Sequence, residues 1–286
     1  MPLPCMMTKP SKVVVCLLVF TLSLGMMLPP VLLAAPKLTP KTLAEWDAYI
    51  AQTEKRIDTE LRNSSVPLRA DLASLKTGKI QIQPFTTPGT KGKDISDGAI
   101  HHWLGSIFIP GMDLKTLIPW LQNYPQYKDY FKDVERSETR AHSGDRYEIF
   151  LRLTRSKLGV TAHFNTTHEV VYSRKDDGFV HSVSKATEIR QVSDAGKPTE
   201  SLQPVGNDSG YLWRLNAYWR FVERDGGVVV ECETVGLSRS LGFGLGVLNF
   251  LTLGKVRDIA ASVAREALDA TLTDLRNGLK AGPRKP

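Results

Sequence analysis

Asp225-Gly226 stands between two runs of alternating residues, Trp213 to Arg224 and Gly227 to Thr234. An Asp-Gly pair suits a two-residue hairpin turn, because such turns need positive φ at both positions. The turn sets the register: Arg224 faces Gly227, Phe221 faces Val230, Arg220 faces Glu231 and Trp219 faces Cys232. One face of the hairpin then carries Trp213, Leu215, Ala217, Trp219, Phe221, Val230 and Cys232. The other carries Arg214, Asn216, Tyr218, Arg220, Glu231 and Glu233. An apolar face backed by a charged one predicts an antiparallel sheet covered on one side only.

More strands surround this hairpin. Ile100 to Ile109 alternates and ends at Pro110-Gly111. Tyr147 to Arg155 puts Tyr147, Ile149, Leu151, Leu153 and Arg155 on one face, and Val160 to Tyr172 does the same with Phe164, His168 and Val170. Asp176-Asp177-Gly178 turns into a strand from Phe179 to Ile189, and residues 193–210 are a polar loop. Asp113 caps a short helix through about Asn123, in which Pro119 predicts a kink or two short turns.

The chain closes with an amphipathic helix from about Lys255 to Leu279, ended by Gly278, Gly282 and Pro283. A second helix, Thr42 to Arg62, precedes a Pro-, Gly- and Thr-rich segment at 84–98 where the domain boundary is placed. At the N-terminus, Lys9 and Lys12 lead into an apolar run, Val13 to Leu28, and then Ala34-Ala35, the order of a secretory signal. Leu32, Leu33 and Pro36 fit a cleavage site poorly, so an uncleaved anchor is the competing reading. The organisation is 1–35 leader, 36–96 helical extension and linker, 97–281 main domain and 282–286 tail.

Composition narrows the class. Hydrophobic residues at 42% and charged residues at 23% exclude a mainly disordered, collagenous or polytopic membrane protein. The net charge of +7 comes with no basic stripe or nucleic-acid module, so no nucleic-acid partner is expected. Cys5 and Cys16 lie in the leader, which leaves Cys232 with no intramolecular disulfide partner in the exported part.

Strand, short helix, antiparallel strands and a long last helix is the order of an α+β helix-grip fold, a curved sheet wrapped around its C-terminal helix. Residues 99–279 resemble the START-like superfamily, which includes polyketide cyclase-like and plant pollen-allergen proteins. The segments 98–105, 107–111, 211–221 and 231–233 resemble more closely a family of uncharacterised exported START-like proteins of bacteria. Among them Tyr211-Leu212-Trp213-Arg214-Leu215-Asn216-Ala217-Tyr218-Trp219-Arg220-Phe221 is the most specific. The resemblance implies a cavity for an apolar or amphipathic small molecule, and it supplies no catalytic residues.

The residues expected to line that cavity are Tyr147, Ile149, Leu151 and Phe164 with Trp213, Leu215, Trp219 and Phe221, and Ala260 and Ala264 on the closing helix. His168 is the candidate for a hydrogen bond to a ligand head group or for proton transfer. Arg155 is the candidate partner of a ligand carboxylate. Each also has a plainer reading, as core aromatic, structural histidine or surface arginine.

No metal or cofactor is expected: His101 and His102 are adjacent in a strand and point to opposite faces. Gly242, Gly244 and Gly246 lack the setting of a dinucleotide fingerprint, and the loop around them reads instead as an apolar gate. The expected function is an exported, periplasmic or membrane-attached carrier of a hydrophobic, lipid-like molecule, with contact to a membrane surface. An enzyme of cyclase, dehydratase or hydrolase type in the same cavity, and a ligand-free envelope interaction module, are the alternatives.

Overall fold

A computed structural model describes residues 37–62, 68–90, 92–157, 159–176, 178–240 and 250–281, with side chains of the last helix from residue 261. The leader, the glycine loop at 241–249 and the tail lie outside the described residues.

The chain runs α1 (Pro40–Arg62), α2 (Leu72–Lys76), β1 (Gln81–Pro84), β2 (Asp94–Ile95), β3 (Gly98–Pro110), α3 (Leu114–Gln122) and α4 (Tyr127–Tyr130). Then come β4 (Val134–Ser143), β5 (Arg146–Lys157), β6 (Val160–Asp176), β7 (Phe179–Ser193), β8 (Ser201–Leu202), β9 (Arg214–Arg224), β10 (Gly227–Arg239) and α5 (Phe250–Ala281). The strands form one antiparallel sheet in the order β1-β3-β10-β9-β7-β6-β5-β4, with β2 on β3 and β8 on β7. With α5 on its inner side, this is the α+β helix-grip arrangement that the order of the elements predicts.

The central hairpin has the register its turn dictates: Arg224 opposes Gly227, Phe221 opposes Val230, Arg220 opposes Glu231 and Trp219 opposes Cys232. Asp225 and Gly226 have φ of 54° and 78°, the signs a type I′ turn requires. β10 also pairs along its whole length with β3, from Gly227–Pro110 to Arg239–Gly98. Of these strands, β3 is the one on which α5 chiefly rests.

α5 seats Leu268, Leu272 and Leu275 in a core with Ile107, Phe221, Val230 and Cys232. Its approach to β3 depends on Gly105, where a Cβ would stand 2.6 Å from Leu272 Cδ1 and 2.8 Å from Leu268 Cδ2. The helix continues through Gly278 to Ala281, although Gly278 was expected to help end it. Its missing side chain is a packing feature: a Cβ there would stand 2.8 Å from Trp120 Cζ2.

α3 likewise runs through Pro119 as one continuous helix, not as two short turns. In so short a helix the proline costs only the hydrogen bond to the carbonyl of exposed Lys115. Asp113 caps it as expected, its Oδ1 accepting from Thr116 N at 2.7 Å.

The outer face of the sheet corrects a larger expectation. It is not open to water: α1 lies across it, burying Trp46, Tyr49, Ile50 and Ile57 against Ile100, Trp213, Tyr218, Val235 and Leu237. The charged side chains there are mostly buried as well, with Arg220, Glu231 and Glu233 at 5%, 1% and 3% exposure. Alternation in a strand separates apolar from charged side chains. It does not say whether the charges meet water or opposite charges. Here α1 and the chain before α2 bring the opposite charges: Arg56 to Glu233, Glu60 to Arg220, and Arg69 with its backbone N–H to Glu60 and Glu231.

Candidate functional site

Between the inner face of the sheet and α5 lies a cavity of about 560 Å³, well within the range of small-molecule sites. Its walls follow from the period of the strands. β5 contributes Ile149, Leu151 and Leu153; β6 contributes Phe164, His168 and Val170; β9 contributes Leu215, Ala217, Trp219 and Phe221. Successive inward positions in a strand are two residues apart, so the alternating runs of the sequence appear as continuous apolar strips. Val263, Ala264, Ala267, Leu268 and Thr271 of α5 form the opposite wall, where small alanines leave the space open.

Nine of the twelve proposed lining residues meet in this wall: Ile149, Leu151, Arg155, Phe164, His168, Leu215, Trp219, Phe221 and Ala264. The side chain of Ala260 lies outside the described residues. Tyr147 is not in the wall. It sits behind it, stacked on His142 with ring centroids 4.2 Å apart and edge-on to Tyr124 at 5.3 Å.

Trp213 is on the other side of the sheet, in the core under α1, with its Nε1–H donating to Asp208 at 3.0 Å. It lies one residue before β9 begins, at a bend. The alternation that would have turned it inward therefore does not extend to it.

The charged groups of the wall are partly exposed: Asp274 Oδ2 accepts from Lys132 N at 3.1 Å, and the others form ion pairs. Arg155 bonds Asp133, and Lys157 Nζ lies 2.6 Å from Glu266 Oε1 on α5. Burial raises the pKa of the Asp133 carboxyl more than Arg155 and Lys132 lower it. Arg155 thus has a protein carboxylate where a ligand carboxylate was expected.

At one end Tyr124 and Tyr172 share a hydrogen bond of 3.0 Å between hydroxyls, while Tyr127 donates to Leu121 O at 2.6 Å. Burial raises the pKa of all these phenols, which therefore stay neutral.

His168 is 4% exposed and has hydroxyls on both sides, Thr166 Oγ1 at 2.9 Å from Nε2 and Ser184 Oγ at 3.3 Å from Nδ1. Burial lowers its pKa to about 4, so the imidazole is neutral near pH 7. His101, also in the wall, has its Nε2 at 2.8 Å from Ser238 Oγ, and burial followed by the charge of Lys93 lowers it to about 4.

Ser182, Ser184, His101, Cys232, Tyr124 and Tyr127 are lining residues that the sequence reading did not single out. For the two serines the signal was available. They alternate inward along β7 from its turn, as Phe164 and His168 do along β6. Among the described residues no cluster of His, Cys, Asp and Glu is placed to hold a metal ion, and no helix is long and apolar enough to cross a membrane.

The fold and cavity define a class: an α+β helix-grip protein with an apolar cavity between its sheet and its last helix. No protein-family model matches the chain, and no curated protein matches its sequence. Solved structures do match. The STAR-related lipid transfer protein from Xanthomonas axonopodis is 16% identical over 66% of this chain and 96% of its own, with a TM-score of 0.40. The Zhui aromatase/cyclase from Streptomyces sp. R1128 is 15% identical over 65% of this chain and 99% of its own, at 0.42. Human STARD10 is 8% identical over 77% and 85%, at 0.40.

Proposed function

We propose that this protein binds and carries a hydrophobic or lipid-like small molecule between its sheet and α5. The observation that carries the reading is the cavity itself, about 560 Å³ and walled chiefly by side chains such as Ile149, Leu151, Phe164, Leu215, Trp219 and Phe221. Apolar surface of this kind binds by removing both partners from water and needs no covalent chemistry. A neutral His168 flanked by hydroxyls suits it for orienting a ligand. With a pKa of about 4 it is a poor proton carrier at neutral pH, which favours carriage over acid–base catalysis.

The same reading places the protein outside the cytoplasm, exported by residues 1–35 and loading or releasing its ligand at a membrane surface. The test is native mass spectrometry of protein purified from its own cell envelope, with solvent extraction and identification of what is bound. A stoichiometric apolar molecule, on a chain beginning near residue 36 or retaining its leader in the envelope fraction, is the expected result. An empty protein that also takes up no fluorescent lipid would transfer the case to an interaction module, and cytoplasmic protein would remove the export proposal.

A further inference from the structure

The hydrogen bonds around His168 set a direction, and that direction specifies what a ligand must offer. Thr166 Oγ1 lies 3.0 Å from Leu151 O. A carbonyl only accepts, so the single hydroxyl proton of Thr166 is committed to it. Toward His168 Nε2, at 2.9 Å, Thr166 then has only lone pairs, and Nε2 must carry the imidazole proton. Burial keeps the ring neutral, which leaves Nδ1 a bare acceptor. Ser184 Oγ, 3.3 Å from Nδ1, gives its proton to it. What Ser184 presents to the cavity is therefore oxygen lone pairs. Ser182, two residues along the same strand and also in the wall, is a neighbouring hydroxyl.

Resting on the binding function proposed above, we infer that the cavity selects ligands with a hydroxyl over ligands with a carbonyl at the same position, through Ser184 as acceptor. An alcohol donates to Ser184 and retains an oxygen that can accept from Ser182. A ketone or ester carbonyl sets its own lone pairs against those of Ser184. The expected discrimination is about tenfold, the size of one net hydrogen bond.

Benzhydrol, benzophenone and diphenylmethane share one skeleton and differ at one carbon as alcohol, ketone and methylene. Calorimetric titration of each into the protein should show benzhydrol binding about tenfold more tightly than benzophenone, and Ser184→Ala should remove the difference. Thr166→Val should reverse it. That variant frees the imidazole to put its proton on Nδ1, so that Ser184 donates to the cavity instead.

Nitrogen NMR of labelled His168 reads the tautomer without any ligand and should show the proton on Nε2. Equal affinity for alcohol and ketone, a preference that survives in Ser184→Ala, or a proton on Nδ1 would each overturn the selection while leaving carriage intact. No binding of any of the three compounds would overturn carriage and the selection together.

Discussion

His101 and His102 are neighbours in β3 that serve opposite sides of one sheet. His101 lines the cavity with Nε2 2.8 Å from Ser238 Oγ, while His102 lies under α1 with Nε2 2.8 Å from Glu233 Oε1. His102 Nδ1 lies 2.7 Å from the hydroxyl of Tyr49, which accepts from Thr87 N at 3.1 Å. The cavity and the charged layer beneath α1 are thus a single strand apart. Changes in one can be measured against the integrity of the other.

Removing one member of the charged layer is expected to be severe. Burial raises the pKa of the Glu60 carboxyl, but the hydrogen bond from Arg56 and the charges of Arg220, Arg56 and Arg69 outweigh it and hold the group below the usual range. Glu60→Ala leaves Arg220, whose side chain is 6% exposed, without its ion-pair partner on α1. A loss of about 3–5 kcal/mol is expected, read by urea denaturation. A loss under about 1 kcal/mol, as for a surface pair, would show that α1 is not clamped by these charges.

Stability should also fall with acid. The His168 pKa is about 4 in the folded chain against an ordinary 6.5. Between those values the unfolded chain takes up a proton that the folded one refuses, so stability decreases as pH drops from about 6.5 to 4, by up to roughly 3 kcal/mol. Glu60 and Glu233, both lowered on balance, add to the loss as pH passes below the ordinary value of 4.5. Denaturation midpoints at neutral and acidic pH should show this slope. His168→Gln, which keeps hydrogen-bonding groups without titrating, should lessen its upper part and leave the share of His101, likewise lowered to about 4.

Gly105→Ala tests the seat of α5. The added methyl would stand within 2.9 Å of Leu268 and Leu272 side-chain atoms, so α5 must shift or strain. Overpacking of this kind costs about 1–3 kcal/mol. A thermal melt unchanged from wild type would show that the helix does not rest on β3 as described.

Ala264→Phe tests the cavity from the other wall. The ring enters open space in a cavity of about 560 Å³, so uptake of a fluorescent lipid should fall at least about tenfold. The melting temperature should hold or rise, because filling a void adds contacts. Unchanged uptake would place the binding space elsewhere.

Much of this architecture is legible in the residues because it depends on local rules. The Asp225-Gly226 turn sets a register, and period-two alternation then puts Leu215, Trp219 and Phe221 on the same wall as Phe164 and His168. β4 escapes the same rule. It is a polar edge strand with two register shifts against β5 and only Val134 and Ser137 buried, so nothing in its own composition marks it as a strand. Its pairing partner defines it. Trp213 escapes because a bend precedes β9, and Tyr147 because the tyrosines of the α3–α4 region come between it and the cavity.

The sequence by itself determined the central hairpin, the inward strips of β5, β6 and β9, and the amphipathic helix that closes the grip. Each follows from the backbone's own periodicity or from one turn. Only the tertiary structure decided that Arg220, Glu231 and Glu233 face partners on and around α1 rather than water. It also decided that Arg155 is held by Asp133, and that His168 lies between the hydroxyls of Thr166 and Ser184. These depend on groups distant in the chain, and a residue's preference for burial or charge carries no record of which distant group will meet it.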